Sequence, residues 1–247
     1  MARLRAAGSV FAVDEARLLM SAARSPAELA EMVERRAAGL PLETIVGWAE
    51  FCGLRIAVEP GVFVPRRRTE LLVQRATALA PPHAVVVDLC CGSGAIGVAL
   101  AAAAGTIVLH AVDIDPVAVR CARRNVEPVG GHVHQGDLYA PLPPELWGRV
   151  DLLLANAPYV PTSAIKTMPP EARLHEPRIT LDGGDDGLDV QRRVISGAAG
   201  WLAAGGHLLL ETSRNQAPIS VEIMAAGGFQ PEVVRSDDLD ATVVVAT

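Results

Sequence analysis

"AVVVDLCCGSGAIGVALAAAA", residues 84–104, decides how the chain is organised. Ala84–Cys90 is a continuous, largely β-branched run, the pattern of a strand buried on both faces. Three glycines follow, and "GAIGVALAAAA" then reads as a helix. Working outward, "TIVLHAVDID" predicts a strand, "PVAVRCARRNVE" a helix and "HVHQGD" a short strand. "VDLLLANAPY" predicts a strand, "LDVQRRVISGAAGWL" a helix, "HLLLETS" a strand and "QAPISVEIMAAGG" a helix. Alternation of this kind implies a parallel sheet with right-handed crossovers. The closing runs "PEVVRS" and "ATVVVAT" are separated only by a short acidic turn, so they should pair antiparallel. The expected fold is α/β. It has a seven-stranded, mostly parallel, doubly wound sheet whose last strand is antiparallel.

Upstream, residues 11–38 carry helical spacing broken at Ser25-Pro26, where Ser caps and Pro occupies the first helical position. Two or three short helices are expected there. Residues 51–64, "FCGLRIAVEPGVFV", alternate and contain Pro60-Gly61, read as the turn between two strands. "PRRRTELLVQRATALA" reads as a helix that Thr69 would cap. The expected organisation is a small N-terminal helical region over 1–48, a β-hairpin and connecting helix over 49–82, and the sheet domain over 83–247.

Half of the 247 residues are hydrophobic, enough for one large core plus a small appendage. The net charge of −6 argues against nucleic acid as a direct substrate held by bulk charge. Basic residues at the N-terminus are not followed by a long apolar run, so neither a signal peptide nor a membrane span is expected. Cys52, Cys90, Cys91 and Cys121 lack a paired metal-ligand spacing and read as free thiols of a cytoplasmic protein. His132 and His134 share a strand face without a further ligand nearby, and no metal site is expected.

Gly92, Gly94 and Gly97 match G-x-G-x-x-G, a pattern that brings a dinucleotide into consideration. Asp88, just before the loop, tips the balance. A carboxylate there would repel a pyrophosphate at the helix N-terminus, whereas S-adenosylmethionine carries an ammonium and a sulfonium and no phosphate. Asp113 would then accept from the ribose hydroxyls. Asp137 would face the adenine amino group, with Leu138 as an apolar wall. Asp115, before Pro116, reads as a helix cap. Asp88 as a solvated strand end and Asp137 as a turn residue are the plainer alternatives.

"NAPY", residues 156–159, ends a buried strand on the carboxyl side of the sheet, where such folds bind ligands. Asn156 offers an amide oxygen. Ala157 precedes Pro158 and is held extended, so its carbonyl is a second acceptor. Two acceptors suit a planar –NH2 group, with Tyr159 stacked on the flat substrate. Catalysis would rest on positioning and electrostatics.

These residues resemble the class I S-adenosylmethionine-dependent methyltransferases with a Rossmann-like sheet. More narrowly, they resemble the HemK-type protein-(glutamine-N5) methyltransferases that modify release factors. The likeness runs from about residue 35 to the C-terminus through "VPRRRTELLV", "DLCCGSGAIGVALA", "VDIDPVAVRCARRNV", "GDLYAPLP", "NAPYVP" and "EPRITLDGGDDGLDVQRRVI". It implies S-adenosylmethionine as cofactor, held by Asp88, Cys90, Cys91, Gly92, Ser93, Gly94, Asp113, Ile114, Asp137, Leu138 and Asn156. It implies a protein acceptor, a peptide chain release factor, at Asn156, Ala157, Pro158 and Tyr159. Two positions depart from the family. Ala157 stands where Asn-Pro-Pro-Tyr has its first proline, and Arg66-Arg67-Arg68-Thr69-Glu70 stands where Arg-Pro-Glu-Thr-Glu is usual. The N-terminal region is also shorter than the family's substrate-recruiting helical domain. The three arginines read either as a contact for an acidic substrate or as a solvated helix start. Residues 160–187, with Glu176 and Pro177, read as a lid or binding loop. Methylation of an exocyclic base amine or a small-molecule amide, and cofactor binding without turnover, stand as alternatives. An NAD-dependent oxidoreductase is a more distant one.

Overall fold

The β-branched run at 85–89 becomes the hub of the molecule in the computed structural model, which describes residues 1–247. Four short helices come first: α1 (Ala2–Ala6), α2 (Ala12–Ala22), α3 (Pro26–Ala37) and α4 (Leu42–Val46). They enclose a small core of their own around Leu4, Leu19, Met32 and Ile45. Ser25 caps α3, accepting from the Glu28 amide at 3.1 Å, as its place before Pro26 predicts.

The hairpin forms, but not around the expected turn. Its strands are β1 (Trp48–Phe51) and β2 (Leu54–Ala57), joined by Cys52-Gly53 with φ of 50° and 74°. Positive φ at both central residues matches the right-handed twist of paired strands, so this two-residue turn wins. Pro60-Gly61 makes a real turn, with the Val62 amide donating to the Glu59 carbonyl, but beyond β2. Helix α5 (Glu70–Leu79) follows a 3-10 turn at Arg67–Thr69, and Thr69 makes no side-chain cap. Its hydroxyl is engaged elsewhere.

The large sheet contains β3 (Val85–Leu89), β4 (Val108–Asp113), β5 (His132–Gln135), β6 (Val150–Ala155), β7 (Leu202–Thr212), β8 (Pro231–Ser236) and β9 (Ala241–Ala246). Between them run α6 (Ala95–Ala104), α7 (Pro116–Val126), α8 (Pro170–His175), α9 (Asp189–Trp201) and α10 (Ala217–Ala226). The spatial order is β5-β4-β3-β6-β7-β9-β8, parallel except for β9, which is antiparallel to both its neighbours. Side-chain alternation sends Val86, Leu152, Leu154 and Val243 to the face covered by α5, α6 and α7. Val87, Leu153, Leu210 and Val244 go to the opposite face, against α9 and α10. Burial on both faces is why the strand sequences are nearly continuous apolar runs.

Strand order reverses at β3: the chain runs outward through β4 and β5, then returns to β6 on the other side of β3. The loops after β3 and β6 therefore part at this point, and a crevice opens at their carboxyl ends. Close packing supports the first loop. Gly94, at φ 77°, starts α6, and a Cβ there would lie 2.5 Å from Val126 Cγ2.

Candidate active site

A cavity of about 310 Å³ occupies that crevice. Cys90, Cys91, Gly92 and Ser93 after β3 line it, as do Asp113 at the end of β4 and Ile114 after it. Asp137 and Leu138 contribute from beyond β5, and Asn156, Ala157, Pro158 and Tyr159 from beyond β6. The two groups of residues read from the sequence as cofactor-binding and as catalytic thus share one cavity, except for Asp88 and Gly94. Gly94 turns the loop into α6 without lining the cavity. Gly92 does line it, and a Cβ on Gly92 would meet nothing within 4 Å, so the backbone leaves room for a ligand at close approach.

Asp88 is fully buried. By strand alternation it points towards α6, where its Oδ2 accepts from the Gly97 amide at 3.1 Å. Its Oδ1 has no partner. Burial pushes its carboxyl up to about 7, with the nearby Asp113 adding to the shift and the Gly97 amide opposing it. Asp88 therefore acts from behind the glycine loop and not from the cavity wall. The folded state binds this proton more tightly than the unfolded chain. The stabilisation is complete below the ordinary Asp range and is lost as pH rises through about 7. Thermal melts from pH 5 to 8 should show a decline that is smaller in Asp88→Asn. Superimposable profiles for the two proteins would refute this.

Asp113 holds the loop in shape. Its Oδ2 accepts from the Gly92 amide at 2.8 Å and its Oδ1 from the Asp115 amide at 2.9 Å. Burial raises its carboxyl despite these amides. Each oxygen keeps a lone pair, so the group can still accept from a ligand hydroxyl. Asp115 caps α7, accepting from the Val117 amide at 2.8 Å, as its position before Pro116 predicts. Asp137 forms an ion pair at 2.6 Å with Arg193, which also lines the cavity. Leu138, at φ 48°, turns an apolar side chain to the same wall.

At the other end, Asn156 donates from Nδ2 to Thr69 Oγ1 at 3.3 Å. The Tyr159 hydroxyl donates to Glu211 Oε1 at 3.1 Å, which ties the ring to β7. Burial, then the neighbouring Glu211, holds the phenol well above its usual range, so it stays protonated. Gln216 clasps the loop from behind, its Nε2 donating to the carbonyls of Tyr159 and Asp186. Glu211, Gln216 and Arg193 were not singled out in the sequence, and Thr69 was read only as a helix cap. Glu211 alone carried a signal, an acid near the carboxyl end of a buried strand.

The long segment 160–187 is built from short pieces: 3-10 turns at Thr162–Thr167 and Arg178–Thr180 flank α8. Glu176 anchors it. Its buried Oε1 accepts from the Val64 amide at 3.3 Å and from Arg66 at 2.5 Å. Arg66 and Arg68 line the cavity, whereas Arg67 does not. Asp186 closes a turn just before α9, accepting from the Leu188 amide, and Arg192 holds its carboxyl down at about 2. His110, His132 and His134 cluster on β4 and β5. Burial, then the neighbouring imidazoles, pushes His110 down to about 4.

The methyltransferase small domain matches residues 53–184. The release factor glutamine methyltransferase of Geobacter sulfurreducens is 40% identical over 210 residues, 83% of this chain and 73% of that protein. The chain belongs to this family. The Mycolicibacterium smegmatis member is 39% identical, covering 96% of this chain and 85% of its own. A methyltransferase structure from Pyrococcus furiosus shares the fold at a TM-score of 0.60 and 16% identity, covering 78% of this chain and 88% of that one. The protein is an S-adenosylmethionine-dependent methyltransferase. The residues present suit that cofactor. The open approach at Gly92 and the acids Asp113 and Asp137 favour hydroxyl and amino groups, and the buried Asp88 beneath the loop disfavours a pyrophosphate. When bound, S-adenosylmethionine supplies an electrophilic methyl group.

Proposed function

We propose that the enzyme methylates the side-chain amide of a glutamine in a peptide chain release factor. The observation that carries this reading is the placement of Asn156 and Ala157, beyond β6, on the same cavity as Asp113. An amide nitrogen is a weak nucleophile that needs orientation more than deprotonation. Asn156 Oδ1 and the Ala157 carbonyl would each accept one of its N–H bonds, leaving the nitrogen lone pair aimed at the methyl group. Tyr159, held by Glu211, would wall one side of the acceptor. On the cofactor side, Asp113 would take the ribose, Asp137 and Leu138 the adenine, and the Cys90–Gly94 loop the amino acid portion. The names of the two relatives support the choice of acceptor.

The division into a helical region at 1–48, a hairpin unit at 49–82 and a sheet domain at 83–247 belongs to this proposal. The separate core of α1 to α4 supports it, and those helices would receive the protein substrate. No helix is long and apolar enough to cross a membrane. With four free cysteines, the cytoplasm is the compartment we propose.

The test is incubation with labelled S-adenosylmethionine and a release factor carrying its Gly-Gly-Gln loop, followed by mass mapping. One added methyl on that glutamine is expected. Cofactor binding with no methyl on the glutamine, or methyl appearing on RNA instead, would overturn the proposed acceptor.

A further inference from the structure

Behind the acceptor loop lies a buried chain of polar side chains that begins at Glu211. This residue is 2% exposed, and its Oε2 has no partner. The Tyr159 hydroxyl donates to its Oε1. The hydroxyl of Thr69, a residue 3% exposed, accepts from Asn156 Nδ2 at 3.3 Å and lies near enough to the same carboxylate to favour its ionised form. The Arg68 guanidinium acts on both Glu211 and Tyr159. Three segments of the chain meet here beside the cavity: the turn before α5, the loop after β6 and the end of β7.

The direction of these hydrogen bonds follows from donor chemistry. An ionised carboxylate only accepts, so the Tyr159 hydroxyl donates to it, and a Thr69 hydroxyl turned towards the unpartnered Oε2 would donate as well. Thr69 has a single proton. When that proton turns to Glu211, its oxygen can only accept from Asn156. The Asn156 –NH2 is thereby held towards Thr69, and its carbonyl oxygen is left for the cavity. The two ends of an asparagine amide are nearly the same size, so sterics alone do not choose between them. A flipped amide would present donors to an acceptor –NH2 and lose the interaction.

We propose that Glu211 is a positioning residue that sets, through Thr69, which end of the Asn156 amide faces the methyl acceptor. This rests on the acceptor reading above. Arg68 supplies the positive charge that favours the ionised carboxylate. Burial raises the Glu211 carboxyl, while Thr69, Tyr159 and Arg68 oppose the rise. As pH falls through this raised value, Glu211 gains a proton and becomes a donor. The polarity of the chain is then no longer enforced, and the rate should fall.

The test compares wild type with Glu211→Gln, Thr69→Val and Thr69→Ser. It uses labelled S-adenosylmethionine and a release factor over a range of pH, with cofactor Kd and melting temperature measured alongside. Glu211→Gln should lose about tenfold in kcat, the scale of one misdirected hydrogen bond. Its cofactor Kd should hold, and the acidic limb of its pH profile should disappear. Thr69→Val should show the same loss, and Thr69→Ser should restore most of the rate. A wild-type kcat in Glu211→Gln would overturn the inference alone, as would a surviving acidic limb. So would rate losses that merely track cofactor affinity and melting temperature, because those mark a structural role. Absence of glutamine methylation by the wild type would overturn the acceptor reading and this inference with it.

Discussion

Replacing Asn156 with alanine should lower kcat for methyl transfer by about 100-fold, the scale seen when a preorganised polar group facing the reacting atoms is removed. Cofactor affinity should change little, because Asp113, Asp137 and the glycine loop come from the ends of β4, β5 and β3 and keep their own contacts when the side chain beyond β6 is cut back. The substitution removes the acceptor Oδ1 and frees the Thr69 hydroxyl, but it leaves the Ala157 carbonyl and the tie between Tyr159 and Glu211. Fold and cofactor site should survive while orientation of the nucleophile is lost. Rapid-quench measurement of a single turnover, with cofactor Kd from calorimetry, separates the two. Comparable single-turnover rates in variant and wild type would remove Asn156 from the reaction.

The opposite split is expected at Asp113. Asp113→Ala should weaken S-adenosylmethionine binding by about 100-fold, since hydrogen bonds to a charged group contribute about 1.5–3 kcal/mol each. The loss has two sources. The ribose would lose its carboxylate, and the Gly92 and Asp115 amides would lose the acceptor that shapes the loop. At saturating cofactor, much of kcat should return, because Asn156 and its partners are untouched. An affinity within a few-fold of wild type would show that Asp113 serves only the loop. Together the two variants divide the cavity into a binding half on β3 to β5 and a reacting half on β6.

The sheet, the glycine loop and the strand-end acids were legible because each depends on residues adjacent in the chain. A β-branched run must be buried on both faces. Glycines must stand where the backbone turns tightly, and an aspartate before proline caps a helix at Asp115 wherever that helix packs. The hairpin was legible in kind but not in place. Pro60-Gly61 is the stronger local turn signal, yet strand twist selected Cys52-Gly53.

Asp88 shows the limit more sharply. Its nearness to the loop in sequence suggested contact with the ligand, but strand alternation turns its carboxylate under α6. Thr69 looked like a helix cap and instead faces Asn156. The family, the cofactor and the strand-end motifs that line the cavity were therefore legible in the sequence alone. The contacts of Thr69 with Asn156 and of Tyr159 with Glu211, and the anchoring of the long loop by Glu176 and Gln216, were decided only by tertiary structure. Such contacts join segments tens of residues apart, and a hydrogen bond acts over about 3 Å. No local pattern records which distant groups the folded sheet will bring within that reach.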